Sequence, residues 1–318
     1  MQLWTPEMEA ERAEARTAVE NGIAAFAELL GGREPSATTD VLEIVRERRA
    51  AMQKAAFTVP DARPTEIAGV PCRLFVPEGR ARGVYLHFHG GGMITGSPEM
   101  NDVTNQQIAR QHGVAVVSVD YRLAPEHPYP AGPDDGVAVL KWLLENGERE
   151  LGSARLVTGG ESAGGYMAAA VLLRARDELQ AIDRFVGANL VFGVFDWGRS
   201  PSQRGLRAHD GPDVLDPTSI LFFTECYLPG RSDDERRDPA ISPAFANLRG
   251  LPPMLLSVGS TDHLLDDTLL LAARSAAAGN DTELFVAPDM PHGFLFFPCA
   301  LTARWFERSA KWFERVLA

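Results

Sequence analysis

Leu156-Val157-Thr158-Gly159-Gly160-Glu161-Ser162-Ala163-Gly164-Gly165-Tyr166 passes from a short apolar stretch through paired glycines into the helix-prone segment 166–173. That order reads as a strand, a tight turn and a helix, with Ser162 at the apex. A serine held in such a turn has a strained backbone, and a side chain two positions away on either side would clash across it, which explains Gly160 and Gly164. Short small-residue patterns also occur in ordinary strand–helix turns, so the meaning of this one depends on its companions.

The first companion lies upstream, where Val84-Tyr85-Leu86 leads through His87 and Phe88 into His89-Gly90-Gly91-Gly92. Three glycines there suit a flexible loop, or they let bare backbone N–H groups approach a developing negative charge closely. Further on come Tyr121-Arg122-Leu123-Ala124-Pro125-Glu126-His127-Pro128, then Asp262 with Leu264 and Asp266, then His292-Gly293-Phe294. With these five motifs in this order, the chain resembles the hormone-sensitive-lipase-like branch of the α/β-hydrolases, the bacterial family IV esterases, over nearly its whole length. It departs from that pattern in three places. Met93 follows the glycines where an aromatic residue is usual, His263 stands where proline is common, and Asp289 replaces a glycine often seen before the histidine.

The chain has 318 residues, 45% hydrophobic and 23% charged, which suits a soluble globular protein with a sizeable core. With 31 Lys and Arg against 43 Asp and Glu, its net charge of −12 repels nucleic acid and anionic membrane, and a small neutral substrate is the easier partner. Cys72, Cys226 and Cys299 show no metal-ligand spacing and are expected to be free thiols in a reducing compartment. Glu7, Glu9, Glu11 and Glu14 do not suit a signal peptide, and no apolar run approaches the ~18 residues of a membrane span, so a cytoplasmic location is expected.

Apolar periodicity predicts helices over 6–30, stopped by Gly31-Gly32, and over 40–53. Short strands are expected at 72–76, 84–88, 114–121, 156–158, 189–194, 254–258 and 282–286. Helices at about 101–111, 135–146, 163–179, 266–278 and 301–316 separate most of them. Such alternation implies an α/β fold, a mostly parallel central sheet with helices on both faces. Residues 196–249, rich in Pro, Gly, Asp and Arg, interrupt the pattern and read as an excursion. The resemblance implies an α/β-hydrolase core in two parts, 61–195 and 250–318, under a helical cap formed by 1–60 and the insertion 196–249.

A serine hydroxyl needs a base that titrates near neutral pH, and histidine is the residue type that does. His89 belongs to the glycine loop, His87 to the strand before it, His112 to a helix end, His127 to a proline-rich turn and His209 to the expected cap, which leaves His263 and His292. His292 follows the last expected strand and fits the α/β-hydrolase chain order of Ser, acid, His, with Asp262 between. Asp266 and Asp267 rival Asp262, although acidic residues in a first helical turn are common for dipole reasons. By the resemblance, the backbone N–H groups of Gly91, Gly92 and Ala163 form the oxyanion hole. Glu161 is expected to bind neighbouring loops, and Tyr121, Arg122 and Glu126 to form a loop-stabilising ion-pair set. Phe195, Trp197, Phe222 and Phe223 are candidates for an acyl pocket.

The expected activity is hydrolysis of short to medium acyl esters through an acyl-enzyme, with no metal or cofactor. Two alternatives stand beside it: an amidase or deacetylase with the same triad, and a non-catalytic receptor of the same fold, as in plant gibberellin receptors, which lack the histidine. The resemblance also implies a homodimer through the edge strand 282–286.

Overall fold

The computed structural model describes residues 3–29, 41–207, 211 and 214–318. Leu30, the expected stop at Gly31-Gly32, the helix start at Asp40, and His209 lie outside the described residues. Eight strands form one sheet: β1 (Arg63–Ile67), β2 (Val70–Phe75), β3 (Val84–Phe88), β4 (Ala115–Val119), β5 (Leu156–Glu161), β6 (Phe185–Val191), β7 (Met254–Gly259) and β8 (Thr282–Ala287). Their spatial order is β1-β2-β4-β3-β5-β6-β7-β8. The β1–β2 and β2–β4 pairs are antiparallel and every other pair is parallel.

The helices are α1 (Pro6–Ala10), α2 (Arg12–Leu29), α3 (Val41–Ala55), α4 (Asp102–His112), α5 (Ala131–Leu151), α6 (Ala163–Asp177), α7 (Pro217–Tyr227), α8 (Asp233–Arg236), α9 (Leu265–Ala277) and α10 (Ala300–Leu317). Central strands such as β3 and β4 are buried along their whole length, so both faces of the sheet are covered. Alternation divides their side chains. Val84, Leu86 and Phe88 join the core with Val139, Leu140 and Val171 from α5 and α6, whereas Tyr85 and Val116 join Trp312 and Phe313 of α10.

Three expectations about elements need correction. β1 was not anticipated, because Arg63-Pro64-Thr65-Glu66-Ile67 is a largely exposed edge strand with little apolar content. It closes on β2 through Ala68 and Gly69, both at positive φ, as a tight hairpin requires. β6 begins and ends earlier than 189–194. Gly187 sits where a Cβ would fall 2.7 Å from Trp312, so tight packing on α10 demands a small residue that weakens the strand pattern. Phe192 to Trp197 then remain buried without being strand, as the chain leaves the sheet. Finally, the helix expected over 6–30 breaks at Glu11, into α1 and α2.

The amino-terminal helices divide between two places. Met8, Ala15 and Val19 pack with Phe192, Met290, Phe294, Phe297 and Leu301, against the carboxyl-terminal part of the chain. From α3, Arg49 donates to the carbonyls of Ile94 and Ala124, and Arg48 lies over the rings of Phe222 and Phe223 at 5.4 and 5.7 Å. No helix among the described residues is long and apolar enough to cross a membrane.

Candidate active site

Parallel strands deliver their carboxyl ends to one edge of the sheet, and the turns after β3, β5, β7 and β8 therefore gather there. At the end of β5, Ser162 has φ 56° and ψ −121°, a backbone state that non-glycine residues avoid. It is held by Ser162 N–H donating to Val191 O at 2.9 Å and by the start of α6, where Tyr166 N–H donates to Ser162 O at 3.2 Å. A Cβ at Gly160 or Gly164 would fall 2.2 or 1.9 Å from Phe88 O, so these glycines let the turn lie directly against β3.

Ser162, Asp262 and His292, 130 residues apart at the extremes, meet here. Ser162 Oγ lies 3.0 Å from His292 Nε2, and His292 Nδ1 lies 2.9 Å from Asp262 Oδ2. Asp262 is buried, and its second oxygen accepts from Leu264 N–H at 2.8 Å. With the carboxylate accepting at Nδ1, the imidazole carries its proton there and turns Nε2 to the hydroxyl. Phe192 packs its ring edge-to-face on His292, 4.9 Å between centroids.

The glycine loop lies beside the serine turn: a Cβ at Gly90 would stand 3.5 Å from Ser162 Cβ. Among the described residues, the N–H groups of Gly91, Gly92 and Ala163 make no hydrogen bond. The loop folds over the carbonyl of Gly91, which accepts from Ile94 N–H, Thr95 N–H and Thr95 Oγ1 at 3.1, 2.9 and 2.9 Å. His89 anchors it from below. Its Nδ1–H donates to Gly90 O at 2.7 Å, its ring stacks on Tyr121 at 4.3 Å, and Tyr121 donates to His89 O at 2.7 Å.

Burial pushes the His89 imidazole down to about 4. An unfolded histidine titrates near ~6.5, so between that pH and about 4 only the unfolded chain takes up this proton. The contribution is full above ~6.5 and is lost as the pH falls through about 4. We expect the stability margin of wild type over His89→Phe to shrink by about 3 kcal/mol between pH 7 and pH 4, measured by urea unfolding. A margin independent of pH would show that this ring is not held neutral.

The rival residues do other work. His263 Nδ1 donates to Ser202 O at 2.7 Å, and Asp266 accepts from Ser202 N–H at 2.9 Å. Asp267 is fully buried and accepts from Phe195 N–H, Asp196 N–H, Ser200 Oγ and Gln203 Nε2, each within 2.8 Å. Burial pushes its carboxyl up to about 7, against the pull of those donors. All three thus tie residues 195–203 to the segment 263–267.

Tyr121, Arg122 and Glu126 do not form one ion-pair set. Arg122 pairs with Asp135 at 2.8 Å, Glu126 pairs with Arg49 at 2.8 Å, and Tyr121 serves the glycine loop. Glu161 binds out of its turn, accepting from His87 Nε2 at 3.1 Å and Asn101 Nδ2 at 3.0 Å. Of the aromatic candidates, Phe223 reaches the loop, since a Cβ at Gly92 would fall 2.6 Å from its ring, whereas Phe195 and Trp197 are core. The sequence reading missed Arg12 and Arg16, which hold Asp289 in the His292 loop; the spacing of 277 and 273 residues carried no signal.

A mostly parallel sheet with a serine after one central strand and an acid and a histidine on later loops is the frame of an α/β hydrolase. A family model described as the alpha/beta hydrolase fold matches residues 85–296. The chain is 34% identical over 285 residues to Carboxylesterase NlhH of Mycobacterium tuberculosis, covering 83% of this chain and 85% of that one. It is 29% identical over 243 residues to an acetyl esterase of Salmonella schwarzengrund, covering 75% and 73% of the two chains. The crystal structure of a hormone-sensitive lipase from a metagenome library superposes with a TM-score of 0.79 at 30% identity, covering 94% of this chain and 98% of that one. The protein belongs to the hormone-sensitive-lipase-like family of α/β hydrolases.

Proposed function

We propose that the protein is a serine carboxylic ester hydrolase acting on short to medium acyl esters, with Ser162 as nucleophile, His292 as base and Asp262 as its orienting acid. The observation that carries this reading is the unbroken relay of 3.0 and 2.9 Å from hydroxyl through imidazole to buried carboxylate. Ser162 Oγ attacks the ester carbonyl while His292 Nε2 takes its proton, and Asp262 stabilises the imidazolium without itself being protonated. The unpaired N–H groups of Gly91, Gly92 and Ala163 receive the oxyanion, already oriented before charge develops. His292 then protonates the leaving alcohol, the C–O bond breaks, and a water deprotonated by the same imidazole releases the acid.

Relatives named carboxylesterase and acetyl esterase support the ester class. The Phe223 ring against Gly92 favours acyl chains that stop early. Three free cysteines, two of them buried, suit a reducing, cytoplasmic setting, and the free edge of β8 is where two copies would pair. The receptor alternative loses its motive, because the histidine stands in hydrogen-bonding reach of the serine.

The test sets p-nitrophenyl butyrate against butyryl p-nitroanilide, matched in acyl group. Ester hydrolysis is expected to lead in kcat/KM by at least about a hundredfold, since the weakly basic p-nitrophenoxide leaves far more readily than a nitroanilide. Preference for the anilide would favour the amidase alternative.

A further inference from the structure

His292 sits on a loop between β8 and the turn at Phe294–Phe296, and three residues before it Asp289 is held from two sides. Its backbone N–H donates to Ser260 Oγ at 2.8 Å, and the neighbouring Met290 O accepts from Thr261 N–H at 3.1 Å, which ties the loop to the segment bearing Asp262. Its side chain, only 10% exposed, faces α2. Arg12 grips it with a two-pronged contact, Nε to Oδ2 at 2.9 Å and Nη2 to Oδ1 at 2.8 Å, and Arg16, one turn further along, adds Nη1 to Oδ2 at 2.6 Å. Asp289 also holds a positive φ of 57°, where an unsupported aspartate would readily relax to another conformation. A planar guanidinium engaged through two nitrogens fixes the direction of a carboxylate as well as its distance.

We propose that Asp289 is a positioning residue for His292, and that Arg12 and Arg16 of the amino-terminal helix set its geometry without touching substrate. The idea rests on the reading of His292 as the base. Both halves of the reaction send their protons through that imidazole, so a displaced loop slows acylation and deacylation together. By the proposed reading the ester lies against the glycine loop and the Phe223 ring of α7, and not against the Asp289 side chain, which faces α2. The signature is therefore a fall in kcat with little change in KM.

The experiment uses the full chain and p-nitrophenyl butyrate, with active sites counted by the endpoint of labelling with a phosphonate. Asp289→Asn and Arg12→Gln are each expected to lower kcat per active site by about tenfold or more, with KM within about twofold. The double variant should fall no further than the worse single one, as expected for two ends of one contact. Arg304→Gln is the control: it breaks the ion pair with Glu11 at 2.6 Å, which docks the same helical segment without reaching the loop, and should leave kcat within about twofold. Wild-type kcat per site in Asp289→Asn and Arg12→Gln, or losses matched by Arg304→Gln, would overturn the proposal. Should Asp289→Asn fail to fold, Arg12→Gln decides alone, because it leaves Arg16 on the carboxylate. His292→Ala separates the premise from the proposal. Wild-type turnover in that variant would remove the base itself, whereas its inactivity beside a fully active Asp289→Asn would remove only the clamp.

Discussion

Ser162→Ala is expected to lower kcat on p-nitrophenyl butyrate by at least about 10⁴-fold, with a melting temperature close to that of wild type. The change deletes one oxygen and keeps the Cβ, so the turn at φ 56° is no more strained than before, and the hydrogen bonds of Ser162 N–H and O to Val191 and Tyr166 are untouched. What is lost is the hydroxyl oxygen 3.0 Å from His292 Nε2, the atom that takes the acyl group in the proposed mechanism. Removing His292 as well should add little, because a base without its nucleophile has nothing to activate. Covalent labelling by a phosphonate should go from one group per chain to none. A variant that kept more than about a hundredth of the wild-type rate would mean that the acyl group is transferred elsewhere, and the mechanism would fall with it.

How far this site could be read in advance differs by part, for physical reasons. The β5–Ser162–α6 turn was legible because its demands are local: a strand, an apex and two glycines that Phe88 O would otherwise strike. β3 matched its expected bounds, 84–88, because an all-buried parallel strand is a plain apolar run. β6 did not, since the same apolar texture continues through Phe192–Trp197, where burial, not sheet pairing, is what the residues satisfy. Ion pairs were least legible of all. Arg122, Glu126 and Tyr121 are neighbours in sequence, yet they bind Asp135, Arg49 and His89 O, because adjacent residues on an irregular loop point in different directions. Asp289 was noticed only as a departure from the family pattern. Its partners on α2 follow from packing between the two ends of the chain, which no local periodicity encodes.

Gly91→Ala should be nearly as damaging to catalysis as the loss of a reacting group, while leaving the fold in place. Gly91 has φ 122°, and a Cβ built there would lie 2.1 Å from Thr95 O and 2.5 Å from Thr95 C, both backbone atoms that cannot swing aside. The loop can admit the methyl only by opening the turn that closes on Gly91 O through Ile94 and Thr95. Opening it rotates the peptide planes on both sides of Gly91, and with them the N–H groups of Gly91 and Gly92. Each misdirected donor is worth about a hundredfold to a thousandfold in kcat. The expected loss is therefore at least about 10³-fold, with the serine, histidine and aspartate all still present. Gly230→Ala calibrates the backbone strain alone: its φ is 70°, but a Cβ there meets nothing within 4 Å, so it should cost about 1 kcal/mol of stability and no activity. The two variants compared on p-nitrophenyl butyrate and by thermal melting separate lost charge stabilisation from lost folding. Near-wild-type turnover in Gly91→Ala would mean that the oxyanion is received by other donors, because no small adjustment relieves a Cβ only 2.1 Å from a backbone oxygen.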